Sequence, residues 1–212
     1  MDQTNAATTM TALLFSDAFD LTKTYFIVSG IAGVNPRHGT LGSVAIAKYA
    51  VQVALQYHID SREMPAEWET GYVGFGNRRP FERPTFEYGT EVMELNEDLR
   101  DYVFDLARNA TLSDSTEANE YRQRYVLDAN ATFFAASQSP SIIKCDVATS
   151  DEWFSGRQLS SAFEETASVW TGGRARSCMT SQEDNATLEA LLRAATEGSA
   201  DFGRAIVMRA GE

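Results

Sequence analysis

Residues 25–52 read YFIVSGIAGVNPRHGTLGSVAIAKYAVQ. A short apolar run, Tyr25 to Ser29, ends at Gly30, and Gly33, Gly39 and Gly42 follow. A continuous apolar run of this length, closed by glycine, predicts a buried strand of the kind that parallel sheets use. Glycines just beyond a strand let backbone approach a ligand closely, because no Cβ intrudes. The next segment decides what kind of loop this is. Val44 and Ile46 share one side, and Val51, Val53, Leu55, Tyr57 and Ile59 alternate with Gln52, Ala54, Gln56, His58 and Asp60. Period two predicts a strand. The glycine spacing is neither G-x-G-x-x-G nor G-x-x-x-x-G-K-[ST]. Both of those motifs also need a helix N-terminus behind the loop, whose free N–H groups hold the phosphate. A strand on each side of the glycines excludes them.

Working outward, the rest of the chain alternates helix and strand. Thr4 to Leu14 predicts a short helix, and residues 65–90, with Pro65, Pro80 and Pro84, predict loop. From Tyr88 the spacing turns helical through Val92, Leu95, Leu99, Tyr102, Val103 and Leu106. Asn96 is placed to cap the main helix, with Glu97 and Asp98 in its first turn. Tyr121 to Leu127 is weakly helical, and Ser141 to Ala148 predicts a second buried strand. Leu159, Ala162, Phe163, Thr166, Val169 and Trp170 trace a helix stopped by Gly172-Gly173. Ser181 is the expected cap of a last helix from Glu183 to Glu197, and Ala205 to Met208 begins a final strand. Buried strands alternating with helices give an α/β fold.

The chain has 212 residues, 43% hydrophobic and 23% charged, which suits a single domain over residues 1–212 with a core large enough to stand without disulfides. A net charge of −12 argues against a nucleic-acid partner. No apolar stretch is long enough to span a bilayer, since Val44 to Ile59 is broken by Lys48, Gln52, Gln56 and His58. The first residues lack the basic start and cleavage site of a signal peptide. Three glycosylation acceptors, Asn109, Asn130 and Asn185, nevertheless point to the secretory pathway, extracellular or at the cell surface, with a leader outside this chain. Cys145 and Cys178 form no C-x-x-C pair, so zinc is not expected; one disulfide and two buried thiols both remain open. With His38 and His58 alone and no G-x-S-x-G elbow, neither a serine triad nor a histidine metal site is expected.

Several long blocks carry a resemblance. FIVSGIAGVNPRHGTLGSVAIAKYAVQVALQYHIDSREMP, YGTEVMELNEDL (88–99), KCDVATSDEWFSG (144–156) and SQEDNATLEALLRA (181–194) resemble the purine nucleoside permease family. That family is similar in turn to nucleoside phosphorylases and nucleosidases. The resemblance implies a central mixed sheet flanked by helices and partly closed into a barrel. It implies a purine nucleoside as ligand, with phosphate or water as acceptor if the N-glycosidic bond is cleaved, and no other cofactor. It implies a base and sugar lying along Gly30, Ile31, Ala32 and Gly33; the plainer reading of these residues is a tight turn at a strand end. Gly39 and Gly42 then turn the chain into the next strand. By the same resemblance Gln182 and Glu183 stand where a carboxylate holds ribose hydroxyls, and an oxocarbenium-like state would gain from it; read alone, Glu183 is a first-turn carboxylate of an exposed helix. Ser150, Asp151, Trp153 and Phe154 stand where an aromatic ring stacks on the purine, or packs a core. An earlier strand and a Ser-Asp pair after the last strand, which the resemblance leads one to expect, are not in the sequence, so the fold is expected to be incomplete at both ends. The enzyme-like activity, a nucleoside-binding role in uptake, and an inactive fragment are the three functions to separate. A homo-oligomer is expected by analogy only.

Overall fold

A computed structural model describes residues 2–127 and 132–212. The opening stretch does form strand, loop and strand. β1 (Phe26–Ala32) lies parallel to β10 (Ala205–Gly211), with Phe26 opposite Ala205 and Ala32 opposite Gly211. β10 then pairs antiparallel with β2 (Val44–Ala47), and β2 pairs parallel with β7 (Ile142–Lys144). A second sheet has the order β6 (Val92–Glu94), β3 (Tyr49–Gln52), β8 (Asp146–Thr149) and β9 (Ser177–Ser181). β4 (Tyr57–His58) and β5 (Tyr72–Val73) form a small separate hairpin ladder.

The two larger sheets are one surface that bends. β2 continues into β3 through Lys48, and β7 continues into β8 through Cys145, so two neighbouring strands break at the same level. Asp146 fills that break. Its Oδ1 accepts from the backbone N–H of Lys48 at 3.0 Å and of Tyr49 at 2.8 Å, and its Oδ2 accepts from that of Arg176 at 2.7 Å. These donors would otherwise lose their ladder partners inside the protein. On the other side the chain beyond β1 crosses β9: Thr180 N donates to Gly33 O at 3.0 Å and Asn35 N donates to Cys178 O at 2.7 Å. The surface thus curls into a partly closed barrel of mixed strands flanked by helices.

α5 (Asp184–Thr196) covers one face, burying Leu188 and Leu191 completely, and α1 (Gln3–Leu14) packs on α5. Each such leucine contributes roughly 1.5–3 kcal/mol. α4 (Arg157–Thr171) covers the other face with Phe163, Ala167 and Trp170 against Tyr49, Val51 and Ala148. It stops at Gly172, which takes the left-handed φ of 62°. α2 (Glu97–Ala107) starts as expected, with Asn96 Oδ1 accepting from Leu99 N at 3.1 Å. α3 (Thr116–Arg122) and a following turn of 3-10 helix occupy the weakly helical stretch.

Four expectations are corrected. Residues 51–60 do not form one alternating strand: β3 ends at Gln52, residues 51–53 are all buried because the strand runs through the middle of the bent surface, and residues 57–60 are all exposed where the chain has left it. β1 is parallel but only half buried: Ile27 and Ile31 are each 62% exposed, since β1 lies at an edge. Val92–Glu94 is a strand, its helix-like spacing overridden by pairing with β3. Ser181 does not cap α5; Glu183 holds the N-cap position, without a side-chain capping bond.

Candidate functional site

Arg209 organises the first of two neighbouring clusters. It ends the apolar part of β10, and its side chain is 3% exposed. A guanidinium cannot shed its proton there, so it needs carboxylates. Nε donates to Asp184 Oδ2 at 3.1 Å, Nη2 donates to Asp184 Oδ1 and, at 2.9 Å, to Glu183 Oε1, and Nη1 reaches Ile31 O at 3.4 Å. Burial pulls the guanidinium pKa down, and the two carboxylates more than restore it. Gly30 has to be glycine for this arrangement, because a Cβ there would collide with Arg209 Nη1. Ser150 N donates to Ser181 O at 2.9 Å, and Asp151 Oδ1 accepts from Gln3 N at 3.3 Å. Gly30, Ile31, Glu183 and Asp184 therefore meet around a guanidinium that the sequence does not single out, while Ser150 joins the end of β9 and Asp151 the start of α1. A charged residue closing an apolar strand, with an Asp-containing helix start elsewhere, was the available signal.

The second cluster is a cleft of about 610 Å³ between the 33–41 loop, α3 and its 3-10 turn, the first turns of α4, and β9. Gly33 and Phe154 line it, together with Phe163, Thr180 and Glu164. Phe154 packs edge-on against Phe163 with ring centroids 4.5 Å apart. Trp153 stands 87% exposed and is not part of this wall. Gly30, Ile31, Ala32, Ser150, Asp151, Gln182 and Glu183 stay outside it; Gly33 is the point where the two clusters touch. Glu164 sits in a polar nest: Asn35 Nδ2 and Arg37 Nη1 each donate to Oε2 at 3.3 Å, and His38 Nε2 is bonded to Oε1. Burial raises the Glu164 carboxyl, but His38, Asn35 and Arg37 outweigh it and hold the pKa below the ordinary glutamate value.

Residues 1–212 match the sequence family described as Purine nucleoside permease (NUP). The chain belongs to the purine nucleoside permease family. The purine nucleoside permease of Candida albicans is 44% identical to it over 209 residues, 97% of this chain and 50% of that protein. A probable purine nucleoside permease of Schizosaccharomyces pombe is 36% identical over 217 residues, 99% of this chain and 61% of that protein. This permease-family chain thus spans about half the length of the first relative. Among solved structures, a Helicobacter pylori 5'-methylthioadenosine/S-adenosyl homocysteine nucleosidase superposes with TM-score 0.50 at 11% identity. A mutant of the Helicobacter pylori enzyme with 5'-methylthioadenosine in the active site gives 0.51 at 12%. Each alignment covers 99% of this chain and 62% of the other. At such identities the likeness is one of fold. Among the described residues, no helix of this permease-family chain is long and apolar enough to cross a membrane.

Cys145 and Cys178 are joined, with Cα atoms 5.9 Å apart, a separation a disulfide spans. Asn109 is exposed just past α2. Asn130 lies outside the described residues. Asn185 is only 5% exposed and its Oδ1 accepts from Thr149 Oγ1 at 2.9 Å, so a glycan there would have to break into the core; that acceptor is corrected to a buried structural amide.

Proposed function

We propose that this chain binds a purine nucleoside in the cleft, with the base against Phe154 and Phe163. In the whole protein that binding would serve nucleoside uptake or cleavage of the N-glycosidic bond. The observation that carries this is the make-up of the cleft: a paired aromatic wall, one ionised carboxylate held by three donors, and a volume in the range of small-ligand sites. Family membership supports the ligand class. Gly30, Ile31 and Glu183 would form the adjoining wall that Arg209 holds together, with Ala32, Ser150, Asp151 and Gln182 as its continuation.

Titration with adenosine, guanosine and uridine tests this. Saturable binding of the purines, with uridine at least about tenfold weaker, is expected from the larger stacking area of a bicyclic base. Equal binding of uridine, or none of any nucleoside, would refute it. Binding without chemistry is favoured by one feature: Glu183, the carboxylate expected to hold ribose, is already engaged by Arg209. Chromatography of free purine after incubation, with and without phosphate, separates the outcomes. Product only with phosphate means phosphorolysis, product without it means hydrolysis, and binding with no product points to uptake. Secretory-pathway location is proposed on Asn109 alone among the described acceptors.

A further inference from the structure

Two carboxylates line the cleft, the exposed Glu212 and the part-buried Glu164, and Glu164 is supported both from the wall, by Asn35 and Arg37, and from behind it, by His38. Glu164 follows Phe163 on α4, and its side chain is 22% exposed. Its Oε1 is bonded to His38 Nε2, while the other ring nitrogen, Nδ1, accepts from Arg176 Nε at 3.2 Å. Arginine donates and never accepts, so Nδ1 is the bare nitrogen and Nε2 carries the hydrogen. His38 therefore aims its one N–H at Glu164, although His38 itself does not line the cleft. Asn35 and Arg37 both donate to Oε2. An ionised carboxylate only accepts, and each oxygen has two lone-pair directions. His38 uses one of those on Oε1, which leaves a second for a ligand hydroxyl.

A nucleoside has an apolar end and a polar end. The buried part of the cleft wall has an apolar side, with Phe163 and Met179 each 1% exposed and Ala148 4%, beside Thr40, Ser177 and an Arg122 whose guanidinium is already paired with Asp114. Its open rim is polar, with the side chains of Arg37 35% and Glu164 22% exposed. Desolvation places the flat base against the apolar side and the sugar at the rim beside Arg37 and Glu164. We infer that Glu164 receives the ribose hydroxyls of the bound nucleoside and that His38 is the residue that positions it; this rests on the nucleoside-binding proposal above. The family resemblance places Glu183 in that role and assigns none to His38.

The test compares adenosine with 2',3'-dideoxyadenosine on the chain and on single substitutions. The unsubstituted chain should bind adenosine about tenfold or more tightly than the dideoxy compound, the effect of a charge-assisted hydrogen bond. Glu164→Gln, nearly isosteric, should bring adenosine down to the dideoxy level and leave the dideoxy affinity unchanged. His38→Gln, which keeps an N–H near the position of Nε2, should retain most of the discrimination, and His38→Leu should lose most of it. Equal binding of the two ligands by the unsubstituted chain overturns the inference. So does a Glu164→Gln chain that weakens both ligands alike, which would mean the carboxylate reads the base or only shapes the wall. Equal behaviour of the two His38 substitutions overturns the positioning role. Each of these leaves nucleoside binding standing, whereas failure to bind either compound removes both proposals.

Discussion

Replacing Asp146 should damage this fold more than any substitution of comparable size elsewhere in the sheet. The residue is 6% exposed, and its carboxylate receives three backbone N–H groups at the point where both central strands break. Asp146→Ala leaves all three without a partner. A stranded buried donor costs about 1–3 kcal/mol, so the sum is roughly 3–9 kcal/mol; entry of water should keep it near the lower end, about 3–5 kcal/mol. Domain stabilities are about 5–15 kcal/mol, so the variant would sit close to unfolding. Asp146→Asn keeps the acceptor for Lys48 and Tyr49 but turns an amide N–H toward that of Arg176, and should lose about a third to a half as much. Urea denaturation followed by circular dichroism measures this. With an m-value of about 2 kcal/mol/M, a loss of 3 kcal/mol moves the midpoint down by about 1.5 M. The acid side gives a second reading. Burial pushes the Asp146 carboxyl up, against the lowering by its three N–H donors. A carboxyl whose folded pKa is raised stabilises in its protonated form, so that contribution fades as pH rises from about 4 through the folded value. The Asn variant, which does not ionise, should therefore close part of its gap to the parent as pH rises toward neutrality. A midpoint for Asp146→Ala within about 0.5 M of the parent, or an Asn variant as damaged as the Ala variant, would refute the role assigned to this side chain.

Three further outcomes are expected. Arg209→Met strands Asp184, which is fully buried, and should cost about 3–5 kcal/mol, seen as a drop of roughly 10 °C in the thermal midpoint; Gly30→Ala should move it the same way, and an unchanged midpoint in both would remove Arg209 as the organiser of that cluster. Cys145→Ser should lower stability by roughly 4 kcal/mol, the loop-closure value for a separation of 33 residues, and titration of the unreduced, unfolded parent should find no free thiol; two free thiols would refute the bridge. Expressed through a glycosylating secretory pathway, the chain should lose an endoglycosidase-sensitive mass shift on Asn109→Gln, and Asn185→Gln should leave the shift unchanged.

What the sequence made legible was local in origin. The cap at Asn96 and the stop at Gly172 each depend on residues within one turn of themselves and stand in the structure, and the apolar run from Tyr25 does start a strand, one that continues through Gly30 to Ala32. What escaped depends on partners far along the chain. Gly30 was singled out, but its reason is a guanidinium on the last strand. His38 looked solitary because Glu164 and Arg176 are distant in sequence. The break at Lys48 is invisible in residues 44–53, since Asp146 is what makes it tolerable. Val92–Glu94 carried helical spacing, and only a neighbouring strand could overrule it. The cleft, assembled from the 33–41 loop, residues 121–125 and 133–136, α4 and β9, has no contiguous sequence signature at all.

β1 carries two unrelated duties on alternate residues. Phe26, Val28, Gly30 and Ala32 turn inward, to the core and to Arg209, while Ile27, Ser29 and Ile31 face out, and no charged residue occurs from Thr24 to Val34. An uncharged open edge is a surface on which other strands can add. Because a pleated strand separates its two sides, the outward positions can be rewritten without disturbing the inward ones. A lysine at Ile27 or Ile31 would act as a gatekeeper against self-association during purification, and a cysteine at Ser29 would hold a spectroscopic label one residue from Gly30 while leaving the inner wall untouched.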